Sequence, residues 1–143
     1  MTAALSPRLQ AIADALPLRP GLRVLEIGCG PGALAREIAS RIGDGHVLAI
    51  DRSAKAIAQA LALSGPEMTA GRLSFRQVSS EELELEPGEK PYDIAVAIRV
   101  GALDGRHAEA GKRSLPRIRA ALVPDGRLYI DGGDPLREIG LSD

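Results

Sequence analysis

Apolar positions follow two rhythms along this chain. Short, nearly continuous apolar runs alternate with stretches in which apolar residues return every three or four positions. The first rhythm suits strands buried on both faces, the second amphipathic helices. Residues 3–16 place Leu5, Leu9, Ile12, Ala13 and Leu16 at helical spacing, and Pro17 and Pro20-Gly21 stop that helix. Strands are predicted over 23–27, 46–50, 73–78, 92–98 and 127–130. Between them, Leu34, Ile38 and Ile42 mark one helix face. Ser53 reads as the N-cap of another helix, whose apolar face holds Ile57, Ala58 and Leu61. Residues 106–122 read as a third, with Gly111 and Pro116 as places where it splits. Gly43-Asp44-Gly45, Ser64-Gly65-Pro66 and Pro124-Asp125-Gly126 read as breaks and turns. Residues 132–143 are too few for more than a turn or a brief extra segment.

Strands alternating with helices predict an α/β fold: a doubly wound, mostly parallel, Rossmann-like sheet between two helical layers. The expected strand order is 3-2-1-4-5. One domain is expected over 1–143, with an N-terminal helix over 3–16, a core over 22–130 and a short tail over 131–143. In such sheets ligands sit beyond the carboxyl ends of the strands, where the strand order reverses.

The stretch at that point is residues 22–32, Leu-Arg-Val-Leu-Glu-Ile-Gly-Cys-Gly-Pro-Gly. A strand, three glycines within five residues, and a helix follow in immediate succession. This sequence brings backbone close to a ligand, because a side chain at Gly28, Gly30 or Gly32 would fill the space. A nucleotide-like cofactor is expected there.

Composition narrows the partners. The 143 residues carry a formal net charge of −1, which gives no reason to expect nucleic acid or an anionic membrane. Phe75, Tyr92 and Tyr129 are the only aromatic residues, too few for stacking single-stranded bases. The single cysteine, Cys29, cannot form an internal disulfide and suggests a reducing compartment. No apolar run reaches membrane-spanning length, and Pro7, Arg8 and Asp14 interrupt what a signal peptide would keep uncharged, so a cytoplasmic location is expected. The acidic run Glu81, Glu82, Glu84, Glu86 and Glu89 lacks the spacing that metals favour and reads as a solvated loop; no metal is expected.

Two patterns fit the glycine turn. Gly28, Gly30 and Ala33 match the dinucleotide fingerprint G-x-G-x-x-G/A, with Asp51 about 20 residues on. Glu26-Ile27-Gly28-Cys29-Gly30-Pro31-Gly32 resembles the E/D-x-G-x-G-x-G turn of class I S-adenosylmethionine-dependent methyltransferases. Glu26 and Gly32 belong only to the second pattern. Asp51 closes the second strand, where that family keeps an acid on the ribose hydroxyls. Val78-Ser79-Ser80-Glu81-Glu82-Leu83 stands where the family often shows G-D-A-E-E-L, and Leu122-Val123-Pro124-Asp125-Gly126-Arg127-Leu128 resembles its late helix-to-strand block. The resemblance covers roughly residues 22–130.

The resemblance implies an S-adenosylmethionine site, with S-adenosylhomocysteine as product, built from Glu26, Gly28, Cys29, Gly30, Gly32, Asp51, Arg52, Ser79, Ser80 and Arg99. Glu26 would accept from the cofactor's ammonium and Asp51 from both ribose hydroxyls. Ser79 departs from the family's usual Asp at the adenine amino group, which shifts adenine recognition toward backbone near Ser79 and Ser80. Cys29 reads as a small turn residue beside the ligand. The implied reaction is methyl transfer to a small molecule, with no acceptor specified. Residues 99–107 should wall the acceptor pocket. There His107 is a weak candidate base, and Arg99 either fixes an anionic substrate or merely extends from a strand end. The basic stretch Arg106, His107, Lys112, Arg113, Arg117 and Arg119 reads as a solvated helix face, with recognition of an acidic small molecule as the alternative. Two other readings stand beside methyl transfer: a non-catalytic S-adenosylmethionine-binding module working with a partner, and a nicotinamide-dependent oxidoreductase domain. The chain is short for the family, lacking its usual C-terminal strand pair, so the fifth strand is expected to be an open edge available for a homodimer.

Overall fold

The computed structural model describes residues 5–141. One six-stranded sheet runs through it in the order β3-β2-β1-β4-β5-β6. The chain order is α1 (Pro7–Ala15), β1 (Arg23–Ile27), α2 (Ala33–Ala39), β2 (His46–Asp51), α3 (Ala54–Leu63), α4 (Gly65–Thr69), β3 (Leu73–Gln77), β4 (Tyr92–Ala97), α5 (Ala108–Ala121), β5 (Leu122–Asp131) and β6 (Leu136–Ile139). The first five strands pair in parallel, and β6 runs antiparallel to β5. The expected order is present, with one strand added. No helix of the described residues is long and apolar enough to cross a membrane.

Alternation along each strand divides the core between two layers. Val24, Val47, Ala49 and Val96 meet Ile12, Leu34, Ile38 and Ile42 on the face covered by α1 and α2. Leu25, Leu48, Ile50, Ala95 and Leu128 meet Leu83, Leu103 and Ile118 on the face covered by α5. Residue 26 shares its side of β1 with Val24, so the alternation that buries the valine also carries Glu26 under α2.

Helix ends follow local chemistry. Ser6 and Ser53 cap α1 and α3 by accepting from the backbone N–H of Leu9 and Ala56. The predicted first helix begins at residue 3; positions 3 and 4 lie outside the described residues. In α3 the buried positions are Ile57 and Ala60, whereas Ala58 and Leu61 are exposed, Leu61 at 43%. The apolar face is thus turned from the expected one. Its row continues to Ser64, whose hydroxyl accepts from Arg36 Nη1. Gly65-Pro66 starts the short helix α4 rather than a plain break, Pro66 being tolerated in a first turn.

α5 is continuous, with Pro116 inside it. Gly111 lies under the loop after β4, where a Cβ would overlap the Ala102 carbonyl. Pro124-Asp125-Gly126 is not a free turn but an irregularity inside β5. From Tyr92 to Ile94, β4 advances two residues while β5 advances five, from Leu122 to Arg127.

The tail differs most from expectation. The chain reverses at Gly132-Gly133, Gly132 with φ +108°, and residues 136–139 pair with residues 128–131. A Cβ at Gly133 would overlap the Leu136 carbonyl, so the reversal needs glycine there. Residues 128–131 of the fifth strand are therefore paired with β6 and are not the open edge expected for a homodimer.

Ile38 is fully buried between α2 and the sheet. Ile38→Ala is expected to cost about 2–5 kcal/mol of unfolding free energy. In urea titration it should lower the midpoint without changing the slope.

Candidate functional site

The glycine turn closes on the tip of β2. The backbone N–H groups of Gly28 and Cys29 both donate to the Ile50 carbonyl, at 2.9 Å each. Gly30 N–H donates to Asp51 Oδ2 at 2.9 Å, and Gly32 N–H to the Cys29 carbonyl at 3.0 Å. These four N–H groups are satisfied within the protein. What the turn offers a ligand is therefore open space more than free donors. A Cβ at Gly30 would meet nothing within 4 Å, and its φ of +54° favours glycine. Gly32 serves packing instead: a Cβ there would stand 2.9 Å from Arg36 Nη1 and 3.1 Å from Phe75.

Asp51 is the bracket of this arrangement. Its second oxygen, Oδ1, accepts from the Ser53 N–H at 2.9 Å at the start of α3. Each carboxylate oxygen keeps a lone pair for a further donor. Arg36 holds the other side of the turn, donating to the Pro31 carbonyl at 2.7 Å.

Glu26 is buried beneath the turn, 3% exposed, and its Oε1 has no hydrogen-bond partner. Burial, with the Asp51 charge second, raises its pKa from the ordinary 4.5 to about 8; Arg36 and the Ala35 backbone N–H oppose the rise. At neutral pH the group is mostly protonated. Cys29 is also buried, and its thiol is pushed up to about 12, by burial first and then by Glu26 and Asp51. It stays a neutral thiol, which fits the small turn residue and not a nucleophile.

A cavity of about 790 Å³ lies across the tips of β2, β1 and β4. Of the residues expected to hold a cofactor, Gly28, Asp51, Arg52, Ser79, Ser80 and Arg99 line it; Glu26, Cys29, Gly30 and Gly32 lie behind or beside it. Ser80 is buried and its hydroxyl is 2.8 Å from that of Ser114 on α5. Ser79 reaches Glu82 Oε1 at 3.4 Å, a long contact.

The far wall is the loop between β4 and α5. Val100 packs against Gly28, where a Cβ would stand 2.8 Å from its methyl. His107 lines the cavity, and its backbone N–H donates to the Gly101 carbonyl at 2.9 Å. Its ring packs so closely on Gly101 that a Cβ there would overlap it. Arg99 has φ +58°, the one positive φ outside glycine among the described residues.

Glu81 and Arg113, read from the sequence as parts of solvated surfaces, also line the cavity. They pair at 2.7 Å, and Arg117 pairs with Glu84 at 2.8 Å. The acidic run and the basic helix, read separately as solvated surfaces, are thus joined by two ion pairs, of which Glu81–Arg113 borders the cavity. Asp131 was missed: it accepts from the Arg99 N–H at 3.1 Å and pairs with Arg8 at 2.7 Å. A strand-end acid 32 positions from its partner leaves no local pattern to find.

A protein-family model described as a methyltransferase domain matches residues 24–126, nearly three-quarters of the chain. The chain belongs to this methyltransferase-domain family. It is 31% identical over 134 residues to a trans-aconitate 2-methyltransferase of Methylobacterium nodulans, covering 92% of this chain and 47% of that protein. It is 36% identical over 126 residues to a ribosomal protein L11 methyltransferase of Thermus thermophilus, covering 87% and 44%. It spans half or less of the length of these relatives. Among solved structures it resembles phosphoethanolamine N-methyltransferase 2 of Haemonchus contortus in complex with S-adenosyl-L-methionine. The TM-score is 0.69 at 29% identity, covering 86% of this chain and 27% of that one.

The folded chain holds the Glu26 proton up to about pH 8, whereas an unfolded chain releases it near 4.5. Stability should therefore fall as pH rises through that window. Glu26→Gln, neutral throughout, is expected to match the unaltered protein at pH 4.5 and to exceed it at pH 8. Urea unfolding at the two pH values reads the difference directly.

Proposed function

We propose that this domain binds S-adenosylmethionine over the glycine turn and transfers its methyl group to a small molecule. The observation that carries the reading is the pairing of two acids around that turn. Asp51 faces the cavity at the tip of β2, and Glu26 lies beneath the turn with an unpartnered oxygen. A cofactor with a ribose diol and an ammonium group fits that donor set, and the missing Cβ at Gly30 leaves it room. Asp51 accepts from the ribose hydroxyls, Arg52 flanks it, and Ser79 and Ser80 border the adenine end. When bound, the cofactor supplies an electrophilic methyl on a sulfonium. The protein's part is to hold donor and acceptor aligned and to keep water from between them. His107, which lines the cavity, is the candidate to take a proton from an acceptor that must lose one.

A cavity of about 790 Å³ has the size of a small-molecule site. The relatives named for trans-aconitate and nocamycin support a small acceptor; others are named for a ribosomal protein and for ribosomal RNA. The formal net charge of −1 weighs against the RNA substrate.

Isothermal titration calorimetry tests the cofactor. S-adenosylhomocysteine is expected to bind and NADH not to; the reverse result overturns the reading. Asp51→Asn should weaken S-adenosylhomocysteine by about tenfold or more, since hydrogen bonds to a charged group contribute roughly 1.5–3 kcal/mol each. A bound ammonium stabilises ionised Glu26, so binding at pH 7 should release protons. Heats measured in two buffers of different ionisation enthalpy should differ in the unaltered protein and converge in Glu26→Gln.

A further inference from the structure

Four arginines line the cavity: Arg52, Arg99, Arg106 and Arg113. Two are neutralised where they stand. Arg113 Nε is 2.7 Å from Glu81, and Arg106 Nε meets both Asp104 oxygens, at 3.0 and 2.8 Å. Arg52, next to Asp51 at the β2 end, and Arg99 are not: neither guanidinium has a hydrogen-bond or ion-pair partner among the described residues, and Arg99 also has both its backbone N–H and its carbonyl held by side chains from elsewhere in the fold.

The backbone of Arg99 is held on both sides. Its N–H donates to Asp131 at 3.1 Å, and its carbonyl accepts from Arg106 Nη2 at 3.0 Å. Asp131 is itself anchored by Arg8 of α1. A left-handed backbone disfavours any residue with a Cβ and persists only where its surroundings impose it. Three segments of the fold thus hold a cation in an unfavourable conformation on a cavity wall and give its charge no partner.

Arg99 follows β4, two strand spacings or about 10 Å from the ribose acid on β2. It therefore stands on the other side of the glycine turn from Asp51, on the wall formed by the β4–α5 loop. We propose that Arg99 anchors a carboxylate of the methyl acceptor, so that the domain acts on an anionic small molecule. The inference rests on the methyltransferase reading above. A guanidinium meets a carboxylate with two parallel N–H bonds, a fit that one arginine completes. A phosphate dianion calls for more positive charge than the single free guanidinium at this end supplies.

Calorimetry on protein saturated with S-adenosylhomocysteine tests this. The probes are acetate, succinate and benzoate, each beside its neutral amide, with phenyl phosphate as the competing anion. At least one carboxylate is expected to bind tenfold or more tightly than its amide. Arg99→Gln should lose that tenfold, a larger factor than it loses in S-adenosylhomocysteine affinity. Arg99→Lys, which keeps the charge without the fork, should retain part of it. Arg19→Gln, an exposed arginine outside the cavity, should behave as the unaltered protein. Carboxylates that bind no better than amides, or Arg99→Gln without effect, overturn the proposal. So does phenyl phosphate binding where the carboxylates do not. Equal loss of S-adenosylhomocysteine in Arg99→Gln assigns the residue to the cofactor and overturns it as well. If the unaltered protein does not bind S-adenosylhomocysteine at all, the methyltransferase reading fails first, and this inference with it.

Discussion

The hydrogen bond from Gly30 N–H to Asp51 Oδ2 joins the two segments on which the site depends. One is the turn after β1, and the other is the tip of β2. Parallel pairing brings these tips level, with Ile27 opposite Ile50, and the Ile50 carbonyl then takes two N–H groups of the turn. Asp51 completes the closure and at the same time starts α3 through Ser53. An acid that faces the cavity is thus also a structural clasp. Removing its charge would loosen the turn as well as the ligand, so an affinity change at Asp51 reports both.

Glu26 shows how strand alternation produces an electrostatic property. Nothing local demands that residue 26 be buried. It is buried because Val24 is, two positions earlier on the same face, and because α2 covers that face. Desolvation then holds the carboxyl neutral near pH 7, with the Asp51 charge adding to the effect. A neutral acid under the turn avoids repulsion between the two carboxyls when no cation is near. A positive group arriving above the turn reverses that balance. The two acids therefore behave as one unit whose charge state depends on what lies between them and solvent.

The glycine turn and the acid at the tip of β2 were legible in the sequence because these parts are close together in the chain. Glu26, the three glycines and the start of α2 fall within eight residues, and Asp51 ends the next strand. Strand order also followed from the alternation of elements. The misreadings share a cause: each needed knowledge of what packs against the segment. The α3 face turned because Ser64, not Ala58, continues the row of Ile57 and Ala60. Glu81 and Glu84 looked like solvated acids until the fold set Arg113 and Arg117 opposite them. β6 was missed because four residues carry too little periodicity to announce a strand, although Gly132-Gly133 marked the reversal.

The loop from β4 to α5 is built by long-range contacts, which is why its order could not be read from residues 99–107 themselves. Gly28 of the first turn accommodates Val100, Gly111 of α5 accommodates the Ala102 carbonyl, and Asp131 of β5 holds the Arg99 N–H. Each contact comes from a different element, and two rely on the absence of a side chain. A loop fixed in this way keeps its shape without being a helix or strand, so the residues it displays can change while its path does not. The glycine turn is then specified by a short local motif, and the β4–α5 loop by contacts from several distant elements. Both Arg99 and His107 are exposed on this loop, but they are held differently. The histidine occupies an ordinary helix start, whereas the arginine is held in place against its own backbone preference.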